Sequence, residues 1–142
     1  MPVDVKYTTS ASATGGREGH ARSEDGKVDV TLSTPKELGG AGGEGTNPEQ
    51  LFALGYSACF LGALKHVASK EKVKLGDDVT VTATIGIGPR DDGQGFGLTA
   101  ALKVNIPNVD PAVAQDLIAK ADVVCPYSHL AHNGVAVDIS AA

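Results

Sequence analysis

Apolar and polar positions alternate over residues 3–13, which are rich in β-forming residues. Two further short stretches, residues 17–23 and 27–32, follow the turn sequences Thr14-Gly15-Gly16 and Asp25-Gly26. Short stretches of this kind joined by tight turns are typical of antiparallel strands. The pattern therefore predicts a three-stranded meander at the N-terminus.

The middle of the chain has a different pattern, because almost every residue from 51 to 64 is small or apolar. Such a segment predicts a helix that is buried nearly all round. Asn47 is a favoured N-cap, and Pro48 loses no hydrogen bond at the first helical position. Glu49 lies in the first turn, where the helix dipole favours an anion, and Gln50 can complete a capping box with Asn47.

We expect this central helix to reach about residue 71 but to break near Gly55. In an unbroken helix, Glu49 and Cys59 would stand roughly 15 Å apart along the axis, too far to share a site within one chain. Ser57 can cap a second helix after such a break. Cys59 would then lie in the first turn of that helix, where free N–H groups lower the pKa of a thiol.

The second half of the chain begins with two alternating stretches. Residues 79–87 and 98–106 flank a polar loop at 89–97, and this arrangement predicts a β-hairpin. The linker before the hairpin, residues 72–78, is polar.

A second helix and a last strand complete the predicted elements. Asp110-Pro111 supplies a cap followed by a proline, which is typical of a helix start. This helix should end within residues 123–128, because Pro126 disfavours helical backbone at the residue before it. Asn133-Gly134 then turns into a final strand at 135–139. The elements together predict an α+β fold in one domain, residues 1–142.

The loop at residues 33–46 is dominated by glycine. Neither a Gly-Lys-Ser/Thr sequence nor a dinucleotide-binding glycine pattern after a strand is present, so a phosphate-binding loop is not indicated. Glycine-rich loops in small domains are often functional, and we interpret this one as a mobile lid or lead-in to the central helix.

Composition narrows the classes of function. The net charge is −5, the twelve Lys and Arg residues form no basic stripe, and aromatic residues make up only 4%. Nucleic-acid binding is therefore disfavoured. Lys65 and His66 end the longest apolar run, so we expect no membrane span. The N-terminus lacks the features of a signal peptide, and we expect a cytoplasmic protein.

Two cysteines are the main candidates for chemistry. Cys59 and Cys125 lie far apart in sequence and have no metal-site spacing. In a reducing compartment they are either inert buried thiols or a redox pair. A free cysteine in an apolar helix is more often a small core residue than a nucleophile. Arg17 after a turn and Glu49 at a helix start likewise have ordinary structural explanations.

Four sequence blocks together resemble the organic hydroperoxide resistance (Ohr) proteins of the Ohr/OsmC family. They cover essentially the whole chain in order, and they are Thr14-Gly15-Gly16-Arg17-Glu18-Gly19, Gly45-Thr46-Asn47-Pro48-Glu49-Gln50-Leu51-Phe52, Gly55-Tyr56-Ser57-Ala58-Cys59-Phe60 and Val124-Cys125-Pro126-Tyr127-Ser128. The resemblance implies an OsmC-like fold in an intertwined homodimer, with two sites at the subunit interface and each sheet built from both chains.

The resemblance also implies a cysteine-based peroxidase that reduces organic hydroperoxides to alcohols. Cys59 would be the peroxidatic cysteine and Cys125 the resolving one, with Arg17 and Glu49 completing the reactive site. No bound cofactor is implied, and dihydrolipoamide or a lipoylated protein would be the reductant. A non-catalytic dimer that binds hydrophobic ligands, with structural thiols, is the alternative.

Overall fold

The computed structural model describes residues 2–142, and these residues form two compact units, one ending at Leu51 and one beginning at Phe52. The fold class is α+β, as predicted, with three α-helices and two antiparallel sheets in the described residues. The longest helix, α1 (Pro48–Lys70), begins in the first unit and continues through the second. That the whole chain acts as one domain stays a prediction.

The first unit contains the predicted three-stranded meander. Its strands are β1 (Ala11–Thr14), β2 (His20–Ser23) and β3 (Asp29–Thr31), paired antiparallel in the order β1-β2-β3. A short 3-10 helix, Gly16–Glu18, occupies the connection between β1 and β2, where the sequence predicted the beginning of the return strand.

The strand predicted over residues 3–13 is wrong for most of its length, because β1 begins only at Ala11. Val3, Val5 and Tyr7 are exposed, and within residues 2–142 no strand pairs with this stretch. Alternation places the apolar side chains of a strand on one face. The N–H and C=O groups of an extended backbone also need hydrogen-bond partners, which a neighbouring strand supplies.

The glycine-rich loop is closed at its base by backbone hydrogen bonds. The Ser33 N–H donates to the Thr46 carbonyl oxygen, and the Thr46 N–H donates to the Thr31 carbonyl oxygen, each at 2.9 Å. The Ser33 hydroxyl accepts from the Gly45 N–H at 2.9 Å. These hydrogen bonds hold the two ends of the loop together just before α1 begins. Movement of the loop as a lid stays a prediction.

The start of α1 confirms the predicted N-cap. The Asn47 Oδ1 accepts a hydrogen bond of 2.8 Å from the Gln50 N–H. The other half of the predicted capping box differs, since the Gln50 Oε1 accepts from the Thr46 hydroxyl at 2.7 Å. Pro48 lies at the first helical position, where a backbone N–H would have no partner within the helix, so the missing N–H of proline costs no hydrogen bond.

The predicted break in the central helix is wrong. α1 is a single helix of 23 residues that passes through Gly55. Ser57 does not cap a second helix, because its hydroxyl donates to the Leu54 carbonyl oxygen within α1 at 3.0 Å. Cys59 therefore lies in the interior of a helix and not in its first turn.

Within one chain, α1 is also not buried on every side, contrary to the prediction. One face contributes the buried residues Tyr56, Phe60, Ala63, Leu64, Val67 and Ala68. The Leu54 side chain, by contrast, is 66% exposed. By length and composition α1 could cross a membrane, contrary to the expectation from sequence. The core helix of a soluble protein passes the same test of length and composition.

The second unit contains the predicted hairpin, β4 (Thr80–Pro89) and β5 (Phe96–Asn105), paired antiparallel along their whole lengths. The predicted second helix is α2 (Pro111–Val124), and the Asp110 carboxylate caps it by accepting from the Ala112 N–H at 2.9 Å. The most buried side chains of this unit include Leu64, Leu117, Ala121 and Cys125.

The C-terminal region differs from the prediction in two ways. A third helix, α3 (Pro126–Asn133), directly follows α2, although the sequence analysis treated Pro126 only as a helix end. No strand forms at 135–139 in the described chain, where Val135, Val137 and Ile139 are exposed. Proline suits the first position of a helix as well as the end of the preceding one, and both apply here.

Candidate active site

Arg17 and Glu49 form a bidentate ion pair in the first unit. The two guanidinium nitrogens Nη1 and Nη2 donate to the two carboxylate oxygens at 2.9 and 2.6 Å. The Glu49 side chain is 13% exposed and that of Arg17 is 37% exposed. This planar arrangement is the strongest geometry that an arginine makes with a carboxylate, and it fixes the orientation of the guanidinium.

The backbone around Arg17 explains why glycines flank it. Gly15 adopts the left-handed conformation with φ 73° just before the 3-10 helix that carries Arg17. A Cβ added to Gly15 would lie 2.8 Å from the Cα of Gly19, so the two glycines allow the connection to fold tightly. The Thr34 hydroxyl donates to the Arg17 carbonyl oxygen at 3.4 Å.

Each partner of this pair favours the charged form of the other. Hydrogen bonds from Arg17 hold the pKa of the Glu49 carboxyl below its ordinary value, although partial burial opposes that shift. The hydrogen bonds to Glu49 raise the pKa of the Arg17 guanidinium. Both groups are therefore ionised at neutral pH, and the carboxylate fixes the orientation of the positively charged guanidinium.

Cys59 and Cys125 come together in the second unit. Cys59 lies on α1, and Cys125 is the N-cap residue of α3. Their sulfur atoms are 3.6 Å apart, in the geometry of a hydrogen bond from Cys125 to Cys59, and both thiols are free. Cys125 is completely buried, whereas Cys59 is only partly buried. Cys59 is thus the more exposed of the two cysteines.

The predicted lowering of the Cys59 pKa by the start of its own helix is wrong. Burial raises the pKa of the Cys59 thiol above its ordinary value, and the interaction with Cys125 adds to the increase. A backbone hydrogen bond from the N–H of Tyr127 acts in the opposite direction. Tyr127 follows Pro126 in the first turn of α3, so the free N–H groups near Cys59 come from α3 and not from α1.

Aromatic side chains surround this end of α1. The rings of Phe52, Tyr56 and Tyr127 lie in mutual contact, with every pair of ring centroids 5.8 Å apart. Gly55 makes room for this cluster, because a Cβ there would lie 2.6 Å from the Tyr127 hydroxyl oxygen and 3.1 Å from the ring. The thiols therefore have an apolar environment beside them.

A buried hydrogen bond joins the same two helices next to the thiols. The hydroxyl oxygens of Tyr56 and Ser128 are 2.8 Å apart, and the two residues are 4% and 0% exposed. The sequence analysis missed this pair and α3 itself. A proline at the first position of a possible helix, directly after Cys125, was the signal that could have revealed α3.

The four residues singled out from the sequence thus form two pairs, Arg17 with Glu49 and Cys59 with Cys125, one in each unit. Among residues 2–142, no group of three or more His, Cys, Asp or Glu side chains is arranged to hold a metal ion.

Comparison with known proteins gives the family. A family model described as OsmC-like protein matches residues 40–140. An organic hydroperoxide resistance protein from Xanthomonas axonopodis pv. citri is 50% identical over 141 residues, which cover 99% of this chain and 98% of that protein. The chain belongs to the Ohr/OsmC family. The resemblance stated from the sequence blocks is thereby confirmed.

Solved structures of the Ohr/OsmC family have the same fold. An organic hydroperoxide resistance protein from Elizabethkingia anophelis, crystallised with thiocyanate bound, is 50% identical with a TM-score of 0.86 and covers 92% of each chain. The OhrB protein of Bacillus subtilis is 39% identical with a TM-score of 0.81, covering 91% of this chain and 93% of its own. The OsmC-like fold expected from the sequence is confirmed.

Proposed function

We propose that this protein is a thiol peroxidase that reduces organic hydroperoxides to alcohols in antioxidant defence. The observation that carries the proposal is the pair of free thiols with sulfur atoms 3.6 Å apart, one partly buried and one fully buried. The names of the relatives, which are organic hydroperoxide resistance proteins, agree with this chemistry. We further propose that residues 1–142 act as a single domain.

The difference in burial supports an assignment of roles to the two cysteines. Cys59 is the peroxidatic residue, because it is the more exposed of the two cysteines. Cys125 is the resolving residue, because it is fully buried but lies against the Cys59 sulfur. A thiolate at Cys59 attacks one oxygen of the O–O bond, forms a sulfenic acid and releases the alcohol.

The second step closes the disulfide. The Cys125 sulfur attacks the sulfenic sulfur, a bond between Cys59 and Cys125 forms, and water leaves. A dithiol then restores both cysteines by thiol–disulfide exchange through a mixed disulfide. We propose dihydrolipoamide or a lipoylated protein as this dithiol, with no cofactor bound permanently and with the cytoplasm as the compartment.

Arg17 and Glu49 are proposed to favour the thiolate form of Cys59. Burial raises the pKa of the Cys59 thiol, so a nearby positive charge is needed to form the thiolate at neutral pH. We propose that the Arg17 guanidinium provides that charge and polarises the hydroperoxide. The bidentate contact with Glu49 holds the guanidinium in one orientation while it acts.

The continuous α1 helix supports a site made by two chains. Cys59 is ten positions after Glu49, and in an unbroken helix this corresponds to about 15 Å along the axis. We propose that the protein is an intertwined homodimer in which the Arg17–Glu49 pair of one chain serves the thiols of the other. The exposed Leu54 on α1 would be covered in that dimer.

The surroundings of the thiols favour a hydroperoxide with an organic tail. Phe52 and Tyr127, the partly buried members of the aromatic cluster, offer apolar surface beside Cys59. Burying an alkyl chain against such surface gains about 25 cal/mol per Å². Alkyl and fatty acid hydroperoxides are therefore the proposed substrates, in preference to hydrogen peroxide.

The proposal is tested by steady-state peroxide consumption. We expect the reduced protein to consume cumene hydroperoxide when dihydrolipoamide is supplied and much more slowly when thioredoxin is supplied. The Cys59→Ser variant should be inactive with either reductant. A wild-type protein that fails to consume the hydroperoxide with any dithiol would point to a ligand-binding protein with structural thiols.

A further inference from the structure

Two parallel links join α1 to α3, and each helix contributes one sulfur and one hydroxyl to them. Tyr56 and Cys59 are three residues apart on α1, and Cys125 and Ser128 are three residues apart at the start of α3. Residues with this spacing are neighbours on one helix face. The thiol link measures 3.6 Å between sulfurs and the hydroxyl link 2.8 Å between oxygens.

The hydroxyl link does not depend on the redox state of the cysteines. The Tyr56 and Ser128 side chains are 4% and 0% exposed, so water cannot readily replace either partner. A buried hydroxyl without its partner is costly, and this keeps the two helices together at that point. The link therefore holds the start of α3 against α1 when no disulfide does so.

The position of the Cys125 sulfur depends on the position of α3. Cys125 is the N-cap residue of α3, and its extended backbone, with φ −66° and ψ 122°, leads directly into the helix. Cys125 is also the C-cap residue of α2, where its N–H donates to the Ala121 carbonyl oxygen at 2.8 Å, so a shift of the first turn of α3 would alter the backbone at this junction and with it the Cys125 side chain. Disulfide formation requires the sulfurs to approach from 3.6 Å to the bonding distance of about 2.05 Å, so such a shift directly affects this step.

We propose that Tyr56 and Ser128 are positioning residues for the resolving step, holding Cys125 within reach of the Cys59 sulfenic acid. This inference rests on the proposed peroxidase function. The sulfenic acid has two fates. It condenses with the Cys125 thiol to give the disulfide and water, or a second hydroperoxide oxidises it to sulfinic acid and leaves as the alcohol. Good positioning favours the first fate over the second.

The informative variant is the double substitution Tyr56→Phe with Ser128→Ala. It removes both hydroxyls and leaves no buried polar group without a partner, so it should fold. Ser57→Ala is the matched control, because the Ser57 hydroxyl bonds within α1 to the Leu54 carbonyl oxygen and does not cross to α3. Tyr56→Phe alone serves as a second variant.

The measurement is the ratio of disulfide to sulfinic acid after a single turnover, read from the intact mass over a series of cumene hydroperoxide concentrations. Loss of free thiol in the same reactions gives the rate of the first step. We expect the double variant and Tyr56→Phe to keep that rate within about twofold. The hydroperoxide concentration that gives half sulfinic acid should fall on the order of tenfold, because small misplacements of reacting atoms are costly. Ser57→Ala should match the wild type in both quantities.

Two results would overturn the inference. One is an unchanged ratio of products in the double variant, and the other is a first step that slows as much as the second, which indicates a general loss of structure. Failure of the proposed function is recognised separately, because the wild type itself would then form no Cys59–Cys125 disulfide with the hydroperoxide.

Discussion

At the scale of single residues, the Arg17–Glu49 pair combines a permanent charge with a fixed direction. Two N–H groups of the guanidinium are used by the carboxylate. A guanidinium has five N–H donors, so further ones remain for a sulfur or a hydroperoxide oxygen. A lysine in place of Arg17 would keep the charge but could not hold the carboxylate and another acceptor in one plane.

The pair makes stability depend on pH in a defined direction. The pKa of Glu49 is lower in the folded protein than in the unfolded chain, so its contribution is complete above the unfolded pKa. That contribution is lost as the pH falls through the folded pKa. We expect Glu49→Gln to lower the unfolding free energy by about 1 kcal/mol or less near neutral pH, since the Arg17 side chain is partly exposed to solvent.

Urea unfolding of wild type and Glu49→Gln at a series of pH values measures this effect. The difference between the two proteins should shrink toward zero under acid conditions. A difference that stays constant or grows as the pH falls would show that the ion pair is not its source.

At the scale of elements, the start of α3 determines the environment of Cys59. A backbone hydrogen bond from Tyr127 lowers the pKa of the Cys59 thiol against the effect of burial, and the Tyr127 ring packs over Gly55 of α1. The absence of a side chain at Gly55 is therefore a packing requirement. Glycine in a helix interior usually costs stability relative to alanine.

Substitution of Gly55 by alanine should destabilise the protein, although the same substitution in a helix interior usually stabilises it. In an unstrained helix this change stabilises by about 0.5–1 kcal/mol. Here the new Cβ would overlap the Tyr127 side chain, so we expect a loss of about 1–3 kcal/mol. Thermal or urea unfolding measures the effect, and a more stable Gly55→Ala protein would contradict the packing described for Tyr127.

Elements whose partners are near in sequence were predictable. The β4–β5 hairpin and the start of α2 follow from strict alternation and from the Asp110 cap. The stretches at 3–10 and 135–139 show similar alternation, yet they form no strand, because alternation does not supply a partner strand. The break predicted at Gly55 failed because packing of Tyr127 compensates for the missing side chain.

The candidate site was predictable only in part, because some of its contacts join residues that are distant in sequence. Motifs identified Arg17, Glu49, Cys59 and Cys125, and the structure pairs them two by two. The hydroxyl link between Tyr56 and Ser128 joins residues 72 positions apart in the chain. No local pattern encodes such a contact, because it depends on how α3 packs against α1.

At the scale of the whole molecule, exposed apolar residues support the proposed homodimer. Leu54 is 66% exposed on α1, and Val137 and Ile139 are 69% and 87% exposed near the C-terminus. A helix that is apolar on every side is normally buried, so we expect another chain to cover the exposed face of α1 that carries Leu54. A dimer that covers α1 would also explain why its sequence predicted burial on every side.

Leu54→Glu should therefore weaken the dimer. A buried carboxylate without a partner is strongly unfavourable, whereas a glutamate at an exposed position is harmless. Sedimentation velocity should show only dimer for the wild type at micromolar concentration and a monomer for Leu54→Glu. Ser69→Glu, at an exposed position of the same helix, is the control and should stay dimeric. A wild-type monomer, or a dimer unaffected by Leu54→Glu, would contradict this assembly.

The central claim is that Cys59 attacks and Cys125 resolves, and the most direct measurement is the product formed from the reduced protein with one equivalent of an organic hydroperoxide. Peptide mapping of the wild type should find an intrachain Cys59–Cys125 disulfide. Cys125→Ser should consume one equivalent and stop at the Cys59 sulfenic acid, which a second equivalent should then oxidise to sulfinic acid, while Cys59→Ser should not react. A first turnover in Cys59→Ser as fast as in the wild type would contradict the assignment.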